Sequence, residues 1–234
     1  MFLANHVPLT VGSNTLTVTA TTLQGQTATT SVTLTSTGTT APLTLEATPD
    51  SGIRGEFAPL PVTFTYHLTS ASPAQMLAMD FDGDGSFEFT DAPPDTVLSG
   101  GYSTPGIQIA RLQVTDPQGL VTTAEVGILV QDVVAMDVMF KGMWESINTA
   151  LLASDKAAAL SLLTPRAREV FDPVFDALLP HMADVVATFT AFQGVNVTSS
   201  YAEYALNATI NGENRLFLIY FLKDADGVWR LEAM

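Results

Sequence analysis

Cysteine is absent from this chain of 234 residues. No disulfide framework can form, and no thiolate is available as a nucleophile or metal ligand. Basic residues are scarce: 9 Lys and Arg stand against 24 Asp and Glu, a formal net charge of −15. That balance disfavours nucleic acid as a partner, because binding DNA or RNA begins with neutralising phosphates. No apolar run is long enough to cross a bilayer; the stretch 127–134 is interrupted by Gln131 and Asp132. The opening stretch Met1–Pro8 lacks a basic region followed by a long apolar core, so it does not read as a signal peptide. If the protein is exported, its export signal is expected outside this sequence. His6, His67 and His181 are dispersed and show no metal-ligand spacing. Neither a Gly-x-Ser-x-Gly elbow nor a phosphate-binding glycine loop occurs.

What is present falls into three segments of different composition. From Met1 to Leu45 there is no charged residue, and threonine is dense. From Glu46 to Val130 acids appear, punctuated by Gly and Pro. After Asp132 the chain turns rich in Ala, Leu, Phe and Met, and its apolar period changes from two to about 3.6 residues. These shifts set module boundaries near 39–42 and 131–132, giving segments 1–40, 41–131 and 132–234.

In the first segment, Leu16, Val18 and Ala20 alternate with threonines, and Ala28, Val32 and Leu34 repeat the pattern across a Leu23-Gln-Gly-Gln turn. The spacing predicts a β-hairpin with one apolar face; a threonine-rich linker is the bland alternative. A lone hairpin is marginal in water and needs a sheet to pack on. The run Gly12-Ser-Asn-Thr-Leu-Thr-Val-Thr-Ala-Thr-Thr-Leu-Gln-Gly-Gln resembles the last two strands of bacterial immunoglobulin-like repeats. Either the rest of such a domain precedes residue 1, or the hairpin borrows a neighbour. An unpaired apolar hairpin is also a candidate for homo-oligomerisation.

The second segment shows short strands at regular spacing: 43–47, 62–68, 75–81, 107–115 and 120–130. Turn clusters such as Thr48-Pro-Asp-Ser-Gly, Ser99-Gly-Gly and Asp116-Pro-Gln-Gly separate them, which predicts an all-β sandwich. Met79-Asp-Phe-Asp-Gly-Asp-Gly-Ser, then Tyr102-Ser-Thr-Pro-Gly, then Ala110-Arg-Leu-Gln-Val-Thr-Asp-Pro-Gln-Gly-Leu resemble a PKD domain. The resemblance implies an immunoglobulin-like β-sandwich of the kind found in bacterial surface proteins and secreted enzymes. Met79 stands where that family usually has Trp, and Ile107 where an aromatic is common, so altered core packing is expected.

The third segment opens on an amphipathic helix. Val133, Met136, Phe140, Met143, Trp144, Ile147 and Leu151 form one stripe, with Lys141, Glu145 and Asn148 off it. A short helix is expected over 155–163. Thr164-Pro165 reads as an N-cap with proline at the first helical position, and Asp172-Pro173 repeats the signal, so a break is expected within 166–189. Strands are expected over 194–200, 201–210, 215–223 and 228–234, with hairpin signals at Asn211-Gly-Glu-Asn and Asp224-Ala-Asp-Gly. Helices followed by a meander make an α+β domain. The ending Phe221-Leu-Lys-Asp-Ala-Asp-Gly-Val-Trp-Arg-Leu-Glu resembles the last hairpin of the nuclear-transport-factor-two-like, or SnoaL-like, superfamily. That resemblance implies a cone in which helices wrap a curved sheet around a cavity.

The sharpest chemical motif is Asp80-Phe-Asp-Gly-Asp-Gly-Ser-Phe-Glu-Phe-Thr-Asp91. Asp80, Asp82, Asp84, Glu88 and Asp91 fall at the first, third, fifth, ninth and twelfth positions of a loop with glycine at the sixth, which is calcium-loop spacing. A hard cation takes six to eight oxygens, and alternate residues of a tight loop can present them. The competing reading is an acidic strand-to-turn loop without metal. The helices that flank an EF-hand are absent, and the twelfth position is the shorter Asp rather than Glu.

The cone carries many aromatics: Phe140, Trp144, Phe171, Phe175, Phe189, Tyr201, Tyr204, Phe217, Tyr220 and Trp229. Related cones include isomerases and dehydratases that place an acid or base in the cavity. His181 and Asp184, three apart on an expected helix, are the one candidate pair; a surface His beside a surface Asp is the commoner case. Asn196-Val-Thr and Asn207-Ala-Thr fit the glycosylation triplet and are read as chance. The leading expectation is a non-catalytic extracellular or cell-surface spacer and interaction region, with protein or carbohydrate as partner and calcium as its cofactor if the loop binds one. The alternative is a small-molecule binder or isomerase/dehydratase-type enzyme in the cone. A carbohydrate-binding role needs planar aromatics on a sandwich face, for which Tyr66, Phe87, Phe89 and Tyr102 are the candidates.

Overall fold

The computed structural model describes residues 3–22, 26–38, 42–50 and 56–234. These fall into two compact units. One holds 3–18, 29–38, 42–50 and 56–132; the other holds 19–22, 26–28 and 133–234.

The threonine-rich segment forms β1 (Gly12–Thr21) and β2 (Thr27–Ser36), a two-stranded sheet that pairs with no other described strand. The expected turn at 23–25 lies outside the described residues. Thr17 and Ser31 hydroxyls meet at 2.9 Å, and Thr15 faces Thr33, so one face is a ladder of hydroxyls. The other carries Leu16, Val18, Val32 and Leu34, and Val32 is 52% exposed. Further upstream, the Asn5 amide copies a strand: its Nδ2 donates to the Gly127 carbonyl at 2.8 Å, and its Oδ1 accepts from the Gly127 N–H at 3.1 Å.

The next strands are β3 (Leu43–Pro49), β4 (Leu60–Leu68), β5 (Met76–Asp80), β6 (Phe89–Ala92), β7 (Leu98–Tyr102), β8 (Gly106–Thr115) and β9 (Val121–Val130). They make two antiparallel sheets, ordered β3-β4-β7 and β6-β5-β8-β9. Period-two alternation points one face of each inward. Leu43, Leu45, Val62 and Phe64 of one sheet and Leu77, Met79, Leu112 and Ile128 of the other share a single core. Met79 is fully buried, whereas Ile107 is 43% exposed and stands outside the core. Two short strands differ from the sequence expectation. Ser99-Gly100-Gly101, read as a turn, lies inside β7, where Ser99 pairs with Thr63 and Gly100 with Val62. Glycine serves packing there: a Cβ on Gly100 would sit 2.7 Å from the Phe81 ring. β6 lies inside the segment read as loop, with a bulge between its pairs Leu77–Ala92 and Met79–Phe89.

The C-terminal unit is α+β. It starts with α1 (Val133–Leu152), α2 (Lys156–Ser161), α3 (Pro165–Leu178), a 3-10 turn (Leu179–His181) and α4 (Met182–Ala187). Asp155 caps α2 by accepting from the Ala158 N–H, and Thr164 caps α3 by accepting from that of Ala167. The break expected within 166–189 occurs, at Leu179–His181 rather than at Pro173. α3 runs through Pro173 and gives way to the 3-10 turn that contains Pro180. Burial of Phe175 on the same helix works against the loss of one N–H. The meander β10 (Phe189–Val197), β11 (Tyr201–Ile210), β12 (Glu213–Lys223) and β13 (Trp229–Ala233) follows, paired in that order. β10 begins at Phe189, five residues before the expected Gly194, because Phe189 and Phe192 pack against Trp144 of α1. Phe140 of α1 is the hub of the core, in ring contact with Tyr204, Phe221 and Trp229.

Candidate functional site

The acidic loop joins β5 to β6. Asp80 ends β5 fully buried, and its two oxygens accept the N–H groups of Gly83, at 2.6 Å, and Gly85, at 3.1 Å. Gly83 holds φ +73°, and a Cβ there would lie 2.5 Å from the Ile109 carbonyl oxygen, so no other residue fits without a shift of backbone. Asp82 accepts from the Asp84 N–H, and Asp84 from that of Ser86. Glu88 reaches back to the Phe81 N–H at 2.7 Å. The Tyr102 hydroxyl donates to the Phe81 carbonyl at 2.9 Å. Burial pushes that phenol well above its ordinary range, and the negative charges of Glu88, Asp82 and Asp80 push it further.

Asp80, Asp82 and Glu88 bring carboxylate oxygens within 4.8 Å of one another, the one such group among the described residues. Hard oxygens so placed fit calcium's donor chemistry. Asp84 and Asp91 do not join the group; Asp91 sits exposed in β6 with φ 55°. Sequence reasoning missed the roles of Tyr102 and the Phe81 backbone, because they depend on β7 being a strand.

The second site is a cavity of about 520 Å³ in the C-terminal unit, bordered by α1, α3, α4 and the sheet. Trp144, Phe171, Phe175, Phe189 and Phe217 line it, five of the ten aromatics singled out above. Three lining residues are polar. Asn148 donates to the Trp144 carbonyl and Thr188 to the Val185 carbonyl, so both are turned to their own helices. Asp184 is the single ionisable group of the wall, and it is exposed. His181 is exposed in the 3-10 turn and lines no part of the cavity; no hydrogen bond or ion pair joins it to Asp184 among the described residues.

A third arrangement is not read from the sequence, where Tyr204 figures only as one of the aromatics. The hydroxyl of fully buried Tyr204 donates to Asp137 Oδ1 at 2.9 Å, and Lys141 Nζ lies 2.7 Å from the other oxygen. Lys141 holds the Asp137 carboxyl below its usual range, assisted by Tyr204 and against desolvation. Burial, with the Asp137 charge adding, raises the Tyr204 phenol far above its own. Proton transfer near neutrality favours groups that titrate near neutrality; this pair is driven apart, into a fixed carboxylate and a fixed phenol.

No family model matches the chain, and no curated protein matches it. Two solved structures are similar to part of it. The PKD1 domain from Vibrio cholerae metalloprotease PrtV is 21% identical, with 38% of this chain and 98% of that one covered and a TM-score of 0.28. The PKD domain of an M14-like peptidase from Thermoplasmatales archaeon SCGC AB-540-F20 is 13% identical, with 39% and 97% covered and a TM-score of 0.28. The strand order of β3 to β9 decides the fold class by itself: first, second and fifth strands in one sheet, third, fourth, sixth and seventh in the other. This segment is an immunoglobulin-like β-sandwich. Within the sandwich the acidic loop closes one end of β5.

Proposed function

We propose that this chain is a non-catalytic spacer and interaction region of an extracellular or surface-attached bacterial protein, its sandwich a PKD domain and its C-terminal unit a cone of the nuclear-transport-factor-two-like kind. The observation that carries this reading is the C-terminal cavity, whose wall is apolar but for Asn148 and Thr188, bonded to their own helices, and Asp184, an exposed acid with no Lys, Arg or His beside it among the lining residues. The pair of buried Tyr204 and part-exposed Asp137 is likewise a poor proton relay, as its two members are shifted away from neutrality in opposite directions. Calcium held by Asp80, Asp82 and Glu88 would stiffen the sandwich loop, a role suited to a module that keeps others at a distance from the cell. Partners are proteins or carbohydrates outside the cell.

Incubating the purified chain in heavy water with a panel of enolisable ketones and hydroxy acids tests the absence of catalysis. No deuterium enters the substrates beyond the buffer rate on this reading; incorporation that Asp137→Asn abolishes overturns it. A second reading, favoured by the cavity itself, is that the C-terminal unit binds a small apolar molecule without transforming it.

A further inference from the structure

The geometry points to a cavity ligand that is apolar and uncharged, a long-chain alcohol or similar neutral molecule in preference to a fatty acid, and this inference rests on the second reading above. The cavity's volume of about 520 Å³ suits a small molecule. It is also open: Val174, Ile210 and Phe217 line it while 39%, 38% and 41% exposed, so one side of the wall faces solvent. Water inside meets almost no hydrogen-bonding partner, and its release by an apolar ligand is favourable.

The preference for a neutral ligand comes from the polar atoms. Asn148 and Thr188 donate to carbonyls of their own helices, at 3.0 Å and 2.7 Å. No Lys, Arg or His lines the cavity, and its one ionisable residue is the exposed acid Asp184. A carboxylate or phosphate entering this wall would lose its hydration without gaining a cation, and would do so beside a negative charge. A hydroxyl or ester head costs far less to bury and feels no repulsion.

The test uses the full chain and the neutral fluorophore N-phenylnaphthylamine, displaced by dodecanol or dodecanoate at neutral pH. Fluorescence rises on binding, and dodecanol displaces the probe at a concentration about tenfold or more below that needed for dodecanoate. Asp184→Lys, at an exposed position, narrows that gap. Phe217→Asp at the open side weakens probe binding, as does Ala208→Trp, which fills the cavity from β11. Failure of the probe to bind overturns the small-molecule reading itself, and so does binding that neither Phe217→Asp nor Ala208→Trp reduces. Normal probe binding with equal displacement by the two competitors overturns only the preference for a neutral ligand.

Discussion

The two units bury polar groups by different means. In the sandwich the buried carboxylate answers to backbone: Asp80 accepts from the N–H groups of Gly83 and Gly85, and the Tyr102 hydroxyl donates a hydrogen bond to the Phe81 carbonyl. In the C-terminal unit the buried phenol answers to a side chain: Tyr204 donates to Asp137, itself tied to Lys141. Backbone partners are fixed by the chain trace and do not titrate. The C-terminal unit also keeps an open apolar cavity. A backbone-anchored loop in one unit and an apolar cavity in the other fit the proposed spacer joined to a module that engages something.

Three measurements break or sharpen this contrast, and the two tryptophans make them separable. Trp144 and Trp229 both belong to the C-terminal unit, so tryptophan emission follows that unit and far-ultraviolet dichroism follows both. The largest effect is expected from Asp80→Ala, which takes the charged acceptor from the N–H groups of Gly83 and Gly85 and costs about 3 kcal/mol of sandwich stability. Urea unfolding should show the loss in the β-sheet signal while the tryptophan transition stays in place. A loss under about 1 kcal/mol would mean the loop's amides find other acceptors and the contrast is overstated.

Next in size is calcium. With the cation in about hundredfold excess over its Kd, the sandwich should gain about 2.7 kcal/mol, seen as a raised melting temperature. Asp82→Ala, at an exposed ligand position, should remove the gain, and the tryptophan transition should ignore calcium throughout. Superimposable melting curves in calcium and in chelator would leave the loop as a metal-free turn held by its own amides.

The sequence made much of this visible, and the exceptions share a cause. Alternation located β3, β4, β5, β8 and β9, and the helical stripe from Phe140 to Leu151 located the main face of α1. β7 escaped because Ser99-Gly100-Gly101 has the composition of a turn; Gly100 admits the Phe81 ring, a contact between residues nineteen apart in sequence. Pro173 misled for the opposite reason, since α3 runs through a local breaker and buries Phe175. At the acidic loop the ligand types were legible, but which of five carboxylates converge depended on the turn made by Gly83 and Gly85. The Tyr204–Asp137 pair lies 67 residues apart in sequence and leaves no local trace.

That pair supplies the smallest and most discriminating effect. Tyr204→Phe removes one charge-assisted hydrogen bond and leaves Asp137 with Lys141 and solvent, for a cost of about 1 kcal/mol at neutral pH. The sign with pH follows from the direction of the shift. Asp137 is held below its ordinary range in the folded unit, so its contribution is fully present above the unfolded carboxylate pKa and fades as pH falls through the lowered folded value. The stability gap between wild type and Tyr204→Phe, read by tryptophan emission in urea, should therefore hold steady from neutrality down to mildly acid pH and close below the usual carboxylate range. A gap that stays constant into strong acid would show that the Tyr204 hydroxyl draws its stability from a partner other than the Asp137 carboxylate. The C-terminal unit would then resemble the sandwich in anchoring its buried hydroxyl to groups that do not titrate.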